Sequence, residues 1–243
     1  MVKIEKYYEW MFSKIEPFFG KRVLDIGSNR GSTFSFFLDS VDLLVATDIS
    51  RKSLDFLKDR FRGNEKFQAL YLDISSPDID GLKKYNFDTI VCINVLEHIE
   101  NDADALKNMG KIASTIGGKI ILIVPALSAL YNQMDKNVGH YRCYDKHKLA
   151  NMANSMGLDV VFNCYFNMLG VPVYYLKGKL LGVKKAKKKS NGSKNKDGSI
   201  IGSMSESTSK LYNIASCVLK PVERFIAVPI GLSEIIVIEN RSL

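Results

Sequence analysis

Residues 23–32 read VLDIGSNRGS. An apolar run closes on an acid, a glycine follows, and a second glycine comes after Ser28, Asn29 and Arg30. Such a pattern predicts a buried parallel strand over 22–26 that turns sharply into a helix over 33–38. Gly27 lets a ligand approach the backbone with no Cβ in the way, and Gly31 lets the helix begin close to the strand. Helix-start amides attract negative groups, and Asp25 sets a carboxylate beside the pocket. The turn therefore predicts a nucleotide-type cofactor site, with Asp25, Gly27, Ser28 and Gly31 around it.

The rest of the chain alternates strands with helices. Residues 3–18 place Ile4, Tyr7, Tyr8, Met11, Phe12, Ile15 and Phe18 on one helical stripe, ended by Pro17 and Gly20. This helix, in an N-terminal segment 1–20, is expected either to pack on the sheet edge or to act as a lid whose Tyr7, Tyr8 or Trp10 touches the cofactor or substrate. Residues 42–50 predict a second strand ending at Asp48, and Ser50 caps a helix running to 61. A third strand covers 66–75 and includes Asp73. The fourth is centred on 89–95, apolar enough to be buried on both faces, and leads through Glu97 and His98 to a helix over 102–116. Residues 119–127 predict a fifth strand. A polar, aromatic stretch follows over 130–145, then a helix capped by Asp145 that stops at Gly157, a sixth strand at 158–166 and a last one at 233–240. The alternation predicts an α/β, doubly wound sheet with a single domain over 1–243.

Residues 167–232 read as an insertion between the last two strands. They hold an apolar aromatic stretch (168–181), a polar Gly/Ser-rich stretch to 207, and a helical pattern at Leu211, Ile214, Ala215, Val218 and Leu219. Nine lysines against one aspartate fall within 177–197, so the whole net charge of +8 sits there and the remaining chain balances. Residues 184–207 carry too few apolar side chains to fold alone and are expected to be flexible. The lysine run reads first as a solvated, flexible loop; beside the apolar aromatics it also offers peripheral contact with an anionic membrane face through 168–196, and contact with nucleic acid is the third reading.

No apolar run is long enough to span a bilayer. The charges at Lys3, Glu5 and Lys6 do not fit a signal peptide. The four cysteines form no Cys-x-x-Cys pair, which predicts reduced thiols and a cytoplasmic protein, at the inner membrane face if the lysine segment binds lipid. The three histidines lack ligand spacing, so no metal site is expected.

A dinucleotide fingerprint, Gly-x-Gly-x-x-Gly, aligned on Gly27 would need glycine at 29 and 32, where Asn29 and Ser32 stand. The pattern acid-x-Gly-x-Gly-x-Gly fits Asp25, Gly27 and Gly31, with only Asn29 departing. Asparagine tolerates positive φ, so the turn can survive. An oxidoreductase is disfavoured accordingly. With VLDIGSNRG, TDIS, YLDIS and INVLEHIE in order, the chain resembles the class I S-adenosylmethionine-dependent methyltransferases over 21–166 and the last strand. GHYRCY, FNMLGVPVYYLKG and PIGLSEIIV are similar to a bacterial and archaeal subgroup associated with glycan or lipid-linked metabolism, which carries a second arginine where Cys143 stands.

The resemblance implies a Rossmann-like, seven-stranded sheet of order 3-2-1-4-5-7-6 with the last strand antiparallel. It implies that Asp25 and the Gly27–Gly31 turn meet the methionine part of S-adenosylmethionine. Asp48 would take the ribose hydroxyls, with Ile49 on the adenine. Asp73 would accept from the adenine amino group with Ile74 beside it, and Asn94 and Val95 would lie near the sulfonium.

Methyl transfer to a hydroxyl also needs a base near neutral pH, and His98 and His140 sit after strands four and five on one rim of the sheet. Asp135, Tyr141 and Arg142 are expected to shape the acceptor site. The strand-four end, Asn94-Val95-Leu96-Glu97, is not the Asn-Pro-Pro-aromatic signature of enzymes that methylate base amino groups, and no Pro-Cys nucleophile is present. Nucleic acid is thus disfavoured as a partner. The expectation is transfer to a small-molecule or lipid- or glycan-linked acceptor at oxygen. The rival readings are a non-catalytic cofactor-binding subunit and an RNA or protein methyltransferase that uses the lysine segment.

Overall fold

The computed structural model describes residues 5–114, 116–176 and 228–240. The lysine run, the stretch 184–207 and the helical pattern at 211–219 lie outside the described residues.

Seven strands form one sheet: β1 (Arg22–Ile26), β2 (Leu43–Asp48), β3 (Phe67–Tyr71), β4 (Thr89–Ile93), β5 (Lys119–Pro125), β6 (Asp159–Phe166) and β7 (Ser233–Glu239). Their order is β3-β2-β1-β4-β5-β7-β6. The pairs β1·β2, β1·β4, β2·β3 and β4·β5 are parallel, and β7 enters antiparallel between β5 and β6. This is the architecture that the resemblance implied. The central strands are apolar on both faces because helices cover both, as a parallel sheet requires.

On one face pack α1 (Glu5–Ile15) and α2 (Arg51–Arg60), through Trp10, Met11, Phe12, Ile15, Leu54 and Leu57. On the other lie α3 (Asp80–Lys83), α4 (Asp102–Ala113) and α6 (Lys146–Ser155), while α5 (Gln133–Val138) precedes α6 in the chain. In α4 alone, Leu106, Met109 and Ile112 are fully buried. Burial of each such side chain stabilises by roughly 1.5–3 kcal/mol.

Four local readings change. Residues 33–38 form no regular helix but the 3-10 turns Phe34–Phe36 and Leu38–Ser40. Phe34 and Phe37 both face the core, and side chains three apart align on a 3-10 turn. The carboxylate of Asp145 does not cap α6; it accepts from the amide and hydroxyl of Ser128. The helix expected to reach 116 ends at Ala113. Within the polar stretch 130–145 stands α5, which opens on a capping box: Met134 N–H donates to Asn132 Oδ1, and Asn132 N–H to Asp135 Oδ2.

Of the two readings of the N-terminal helix, packing describes what is seen. Trp10 is buried with its ring 4.3 Å from Phe166, and Phe12 stacks on Phe36. Trp10 thus sits in the core and not on a ligand-facing rim, while Tyr8 lies partly buried against Tyr7 and Phe36.

Candidate active site

The carboxyl ends of β1, β2 and β4 meet where the strand order reverses, the place where open α/β sheets bind ligands. The turn after β1 is held from below. Asp25 is 4% exposed and accepts from the Ser28 hydroxyl. Thr47 donates its hydroxyl to the Asp25 carbonyl, and the amides and oxygens of Ser28 and Thr47 are cross-bonded. Burial pushes the Asp25 carboxyl up to about 7 against the lowering bond from Ser28, with nearby Asp48 adding to the rise. Asp25 braces the turn more than it faces solvent.

Gly27 and Gly31 both have positive φ, as does Asn29 at 46°, which departs from glycine without losing the turn. A Cβ on Gly27 would stand 2.3 Å from Val95 Cγ2, and one on Gly31 would stand 2.7 Å from the Phe34 ring. At the end of β2, the Asp48 carboxylate accepts from the amides of Asn29 and Ser50, which aims it across the mouth of the turn. Ile49 beside it is 68% exposed, an apolar side chain with no cover among the described residues. Asp73 is exposed and accepts from Ser75. Ile74, expected beside it on the adenine, instead points into the core and is 3% exposed. Asn94 is exposed at a positive φ of 54°, directly after β4.

A second cluster stands immediately beyond. The 3-10 turn Leu96–His98 follows Asn94 and Val95, and α5 ends at Gly139 just before His140. Tyr141 N–H donates to the Glu97 carbonyl at 2.8 Å, which ties these two segments together. His140 is buried, with Nδ1 3.2 Å from Asp135 Oδ1 and Nε2 3.8 Å from Glu97 Oε1. The His98 and His140 rings meet edge to face at 4.6 Å, and His98 Nδ1 lies 3.2 Å from the Gly139 carbonyl.

Burial, then His140, pushes the His98 imidazole below its ordinary value. Burial pushes Glu97 up to about 7. Burial alone would raise Asp135, but hydrogen bonds from His140, Tyr174 and Asn132 outweigh it and hold the carboxyl low. Asp135 therefore positions His140 and does not open onto the site.

The remaining expected acceptor residues separate. Tyr141 is half exposed. Arg142 is engaged, 2.6 Å from Asp102 Oδ1 and donating to the Glu100 carbonyl, so it is not an open anion receptor. Histidine spacing predicted no metal site, yet Glu97, His98 and His140 bring three ligand atoms within 4.8 Å of one another. The ligands come from two loops distant in sequence, so spacing could not reveal them. The Asn132-x-x-Asp135 capping box was the one legible sign that the second loop is ordered.

Residues 24–120 match the family model described as a methyltransferase domain. That match runs from within β1 to the start of β5 and contains the glycine turn, Asp48 at the end of β2, Asp73 after β3 and the Leu96–His98 turn. Over 24–120 the sequence is that of a methyltransferase domain, and the fold is that of the class I S-adenosylmethionine-dependent methyltransferases. Among curated proteins the chain is 31% identical over 128 residues to CymA of Salinispora arenicola, described as a non-canonical nonribosomal peptide synthetase; the match takes in 50% of this chain and 2% of CymA. The chain thus spans a small fraction of that relative's length.

In fold, the methyltransferase domain is similar to BH2331 of Bacillus halodurans C-125 (17% identity, TM-score 0.58, 97% of this chain and 99% of that one). It is also similar to the N-methyltransferase NodS of Bradyrhizobium japonicum WM9, solved with S-adenosyl-L-homocysteine (17% identity, TM-score 0.53, 67% of this chain and 78% of that one). The residues present suit S-adenosylmethionine. The glycine turn packs too closely on Val95 and Phe34 to admit a Cβ, and beside it stand an amide-held carboxylate at Asp48, suited to accept from hydroxyls, and an exposed apolar side chain at Ile49.

Proposed function

We propose that this chain transfers the methyl group of S-adenosylmethionine to an oxygen of a small-molecule or lipid- or glycan-linked acceptor. The observation that carries the reading is the adjacency of two sites: the glycine turn with Asp48, and the imidazole pair of His98 and His140 directly past β4.

When bound, S-adenosylmethionine supplies an electrophilic methyl on a sulfonium sulfur. The chain's own contribution is to hold the reactants in line. The Gly27–Gly31 turn, over the Asp25–Ser28 brace, would meet the methionine part. Asp48 would accept from the ribose hydroxyls, Ile49 would lie on the adenine, Asp73 would accept from its amino group, and Asn94 with Val95 would lie toward the sulfonium. Transfer would form the acceptor's oxygen–carbon bond as the carbon–sulfur bond breaks, with the sulfur keeping the electron pair. The acceptor's proton is handled at the imidazoles, whose Nδ1 atoms are occupied by Asp135 and Gly139 and whose Nε2 atoms are therefore the lone-pair positions. Tyr141, half exposed on the same rim, is the acceptor contact.

The lysine segment supports a lipid-linked acceptor through charge alone, since its nine lysines follow an apolar aromatic stretch. Deleting 184–196 is expected to weaken sedimentation with anionic liposomes, and unchanged binding would remove the membrane part of the reading. The decisive assay incubates the protein with methyl-labelled S-adenosylmethionine and fractionated cell extract. Label in a lipid, glycan or small-molecule fraction is expected. Label in RNA or protein would move the acceptor class, and no transfer to any fraction would favour a non-catalytic cofactor-binding subunit.

A further inference from the structure

Three acceptor groups converge beside the cofactor turn with no donor among them. Glu97 is 1% exposed, and neither of its carboxylate oxygens has a hydrogen-bond partner among the described residues. His140 Nδ1 faces a carboxylate oxygen and His98 Nδ1 faces a carbonyl, both at 3.2 Å. Each Nδ1 must then carry the hydrogen, which leaves a lone pair on each Nε2. The His140 Nε2 lone pair faces Glu97 Oε1 at 3.8 Å, too far for a proton shared between them to make a hydrogen bond. A buried carboxylate among lone pairs is costly unless something positive sits with it.

We propose that Glu97, His98 and His140 bind a divalent transition-metal cation, with its remaining coordination positions open to water or to an oxygen of the acceptor. The three ligand atoms already lie within 4.8 Å of one another. Around a tetrahedral centre with bonds of about 2.0–2.2 Å they would lie about 3.3 Å apart. Closure by up to about 1.5 Å is within reach of the side chain of His98, which is only partly buried.

The supporting shell is that of a metal-binding histidine, in which the second ring nitrogen is fixed by a carboxylate or carbonyl. Here Asp135 fixes His140 and is itself held by the Tyr174 hydroxyl and the Asn132 amide. The Gly139 carbonyl fixes His98. Two imidazoles and one carboxylate favour zinc, manganese, cobalt or iron over magnesium and calcium, which take all-oxygen shells.

The site stands on this geometry; only its use on the acceptor rests on the methyl-transfer reading. In that use the imidazoles coordinate, and the cation in place of a histidine base lowers the pKa of the acceptor hydroxyl.

The test strips the full-length chain with chelator and titrates it with Co²⁺, read by visible d–d absorption and competed with Zn²⁺. One saturable equivalent is expected. Glu97→Gln, His98→Ala and His140→Ala should each weaken it at least about ten-fold, and Asp135→Asn about 10–100-fold. His98→Ala, at the partly exposed ligand, keeps the test decisive should the buried variants fail to fold. No saturable absorption in the wild type, or wild-type affinity in His98→Ala, would overturn the site. Binding of S-adenosylmethionine is measured by calorimetry on the same preparations. Cofactor binding without cobalt binding defeats the metal site alone, and cobalt binding without cofactor binding defeats the methyl-transfer reading alone.

Discussion

Asp25 illustrates how one side chain links turn, stability and pH. Its carboxyl is pushed up from 3.8 to about 7 by burial, so between those values the folded chain holds a proton that the unfolded chain releases. The stabilisation is complete below about pH 4 and is lost as pH rises through 7, with a slope of at most about 1.4 kcal/mol per pH unit. Glu234, buried in β7 and also raised to about 7, acts in the same direction. Urea unfolding in EDTA should therefore show lower stability at pH 8 than at pH 5, and Asp25→Asn should flatten that dependence. A stability that climbs over this range would contradict it.

Gly27 makes a second residue-scale prediction. Gly27→Ala places a Cβ against Val95 and strains a left-handed backbone, each at a cost of about 1–3 kcal/mol. Adding Val95→Ala should recover the clash portion only, readable as a partial return of the melting temperature. These residues were legible in sequence because the acid, the glycines and the strand run are contiguous. The inward turn of Ile74 was not, because two neighbouring residues past a strand end face opposite ways only once the register is known.

Among the elements, the strands were the most legible. The apolar runs of β1, β2, β4, β5 and β7 are buried on both faces, and each of β1 to β4 is followed within a few residues by a polar loop. The segment after Gly31 was read as a helix from its position, but the spacing of Phe34 and Phe37 pulls it into 3-10 turns. The α5 element was the costliest omission, because it delivers His140. Its capping box makes it testable: Asn132→Ala should destabilise by about 1 kcal/mol, measured by urea unfolding. The same variant keeps the backbone N–H that donates to Asp135, so cobalt affinity of the folded protein should be unchanged; a loss of cobalt binding in the folded variant would show that the cap itself positions the site. The N-terminal helix answers to the core. Trp10→Ala is expected to cost about 3–5 kcal/mol in unfolding while leaving cofactor affinity per folded molecule unchanged. A specific loss of cofactor affinity would restore the lid role.

For the whole molecule, the sheet places both candidate sites at one switch point. β1 and β4 are neighbours although three strands apart in order of synthesis, so the Gly27 turn and the Asn94–His98 segment open side by side. Alternation in the sequence called for a doubly wound sheet, but periodicity could not place β7 between β5 and β6; that order came from the family resemblance. The acceptor is the least legible feature, because it is recognised by loops whose composition follows no period. The central claim is that this switch point binds S-adenosylmethionine with Asp48 on the ribose. Calorimetric titration of the wild type and of Asp48→Ala tests it most directly. Charge-assisted bonds of about 1.5–3 kcal/mol predict saturable binding by the wild type and at least a ten-fold loss in the variant. No binding to the wild type, or equal binding by the two proteins, would contradict the account.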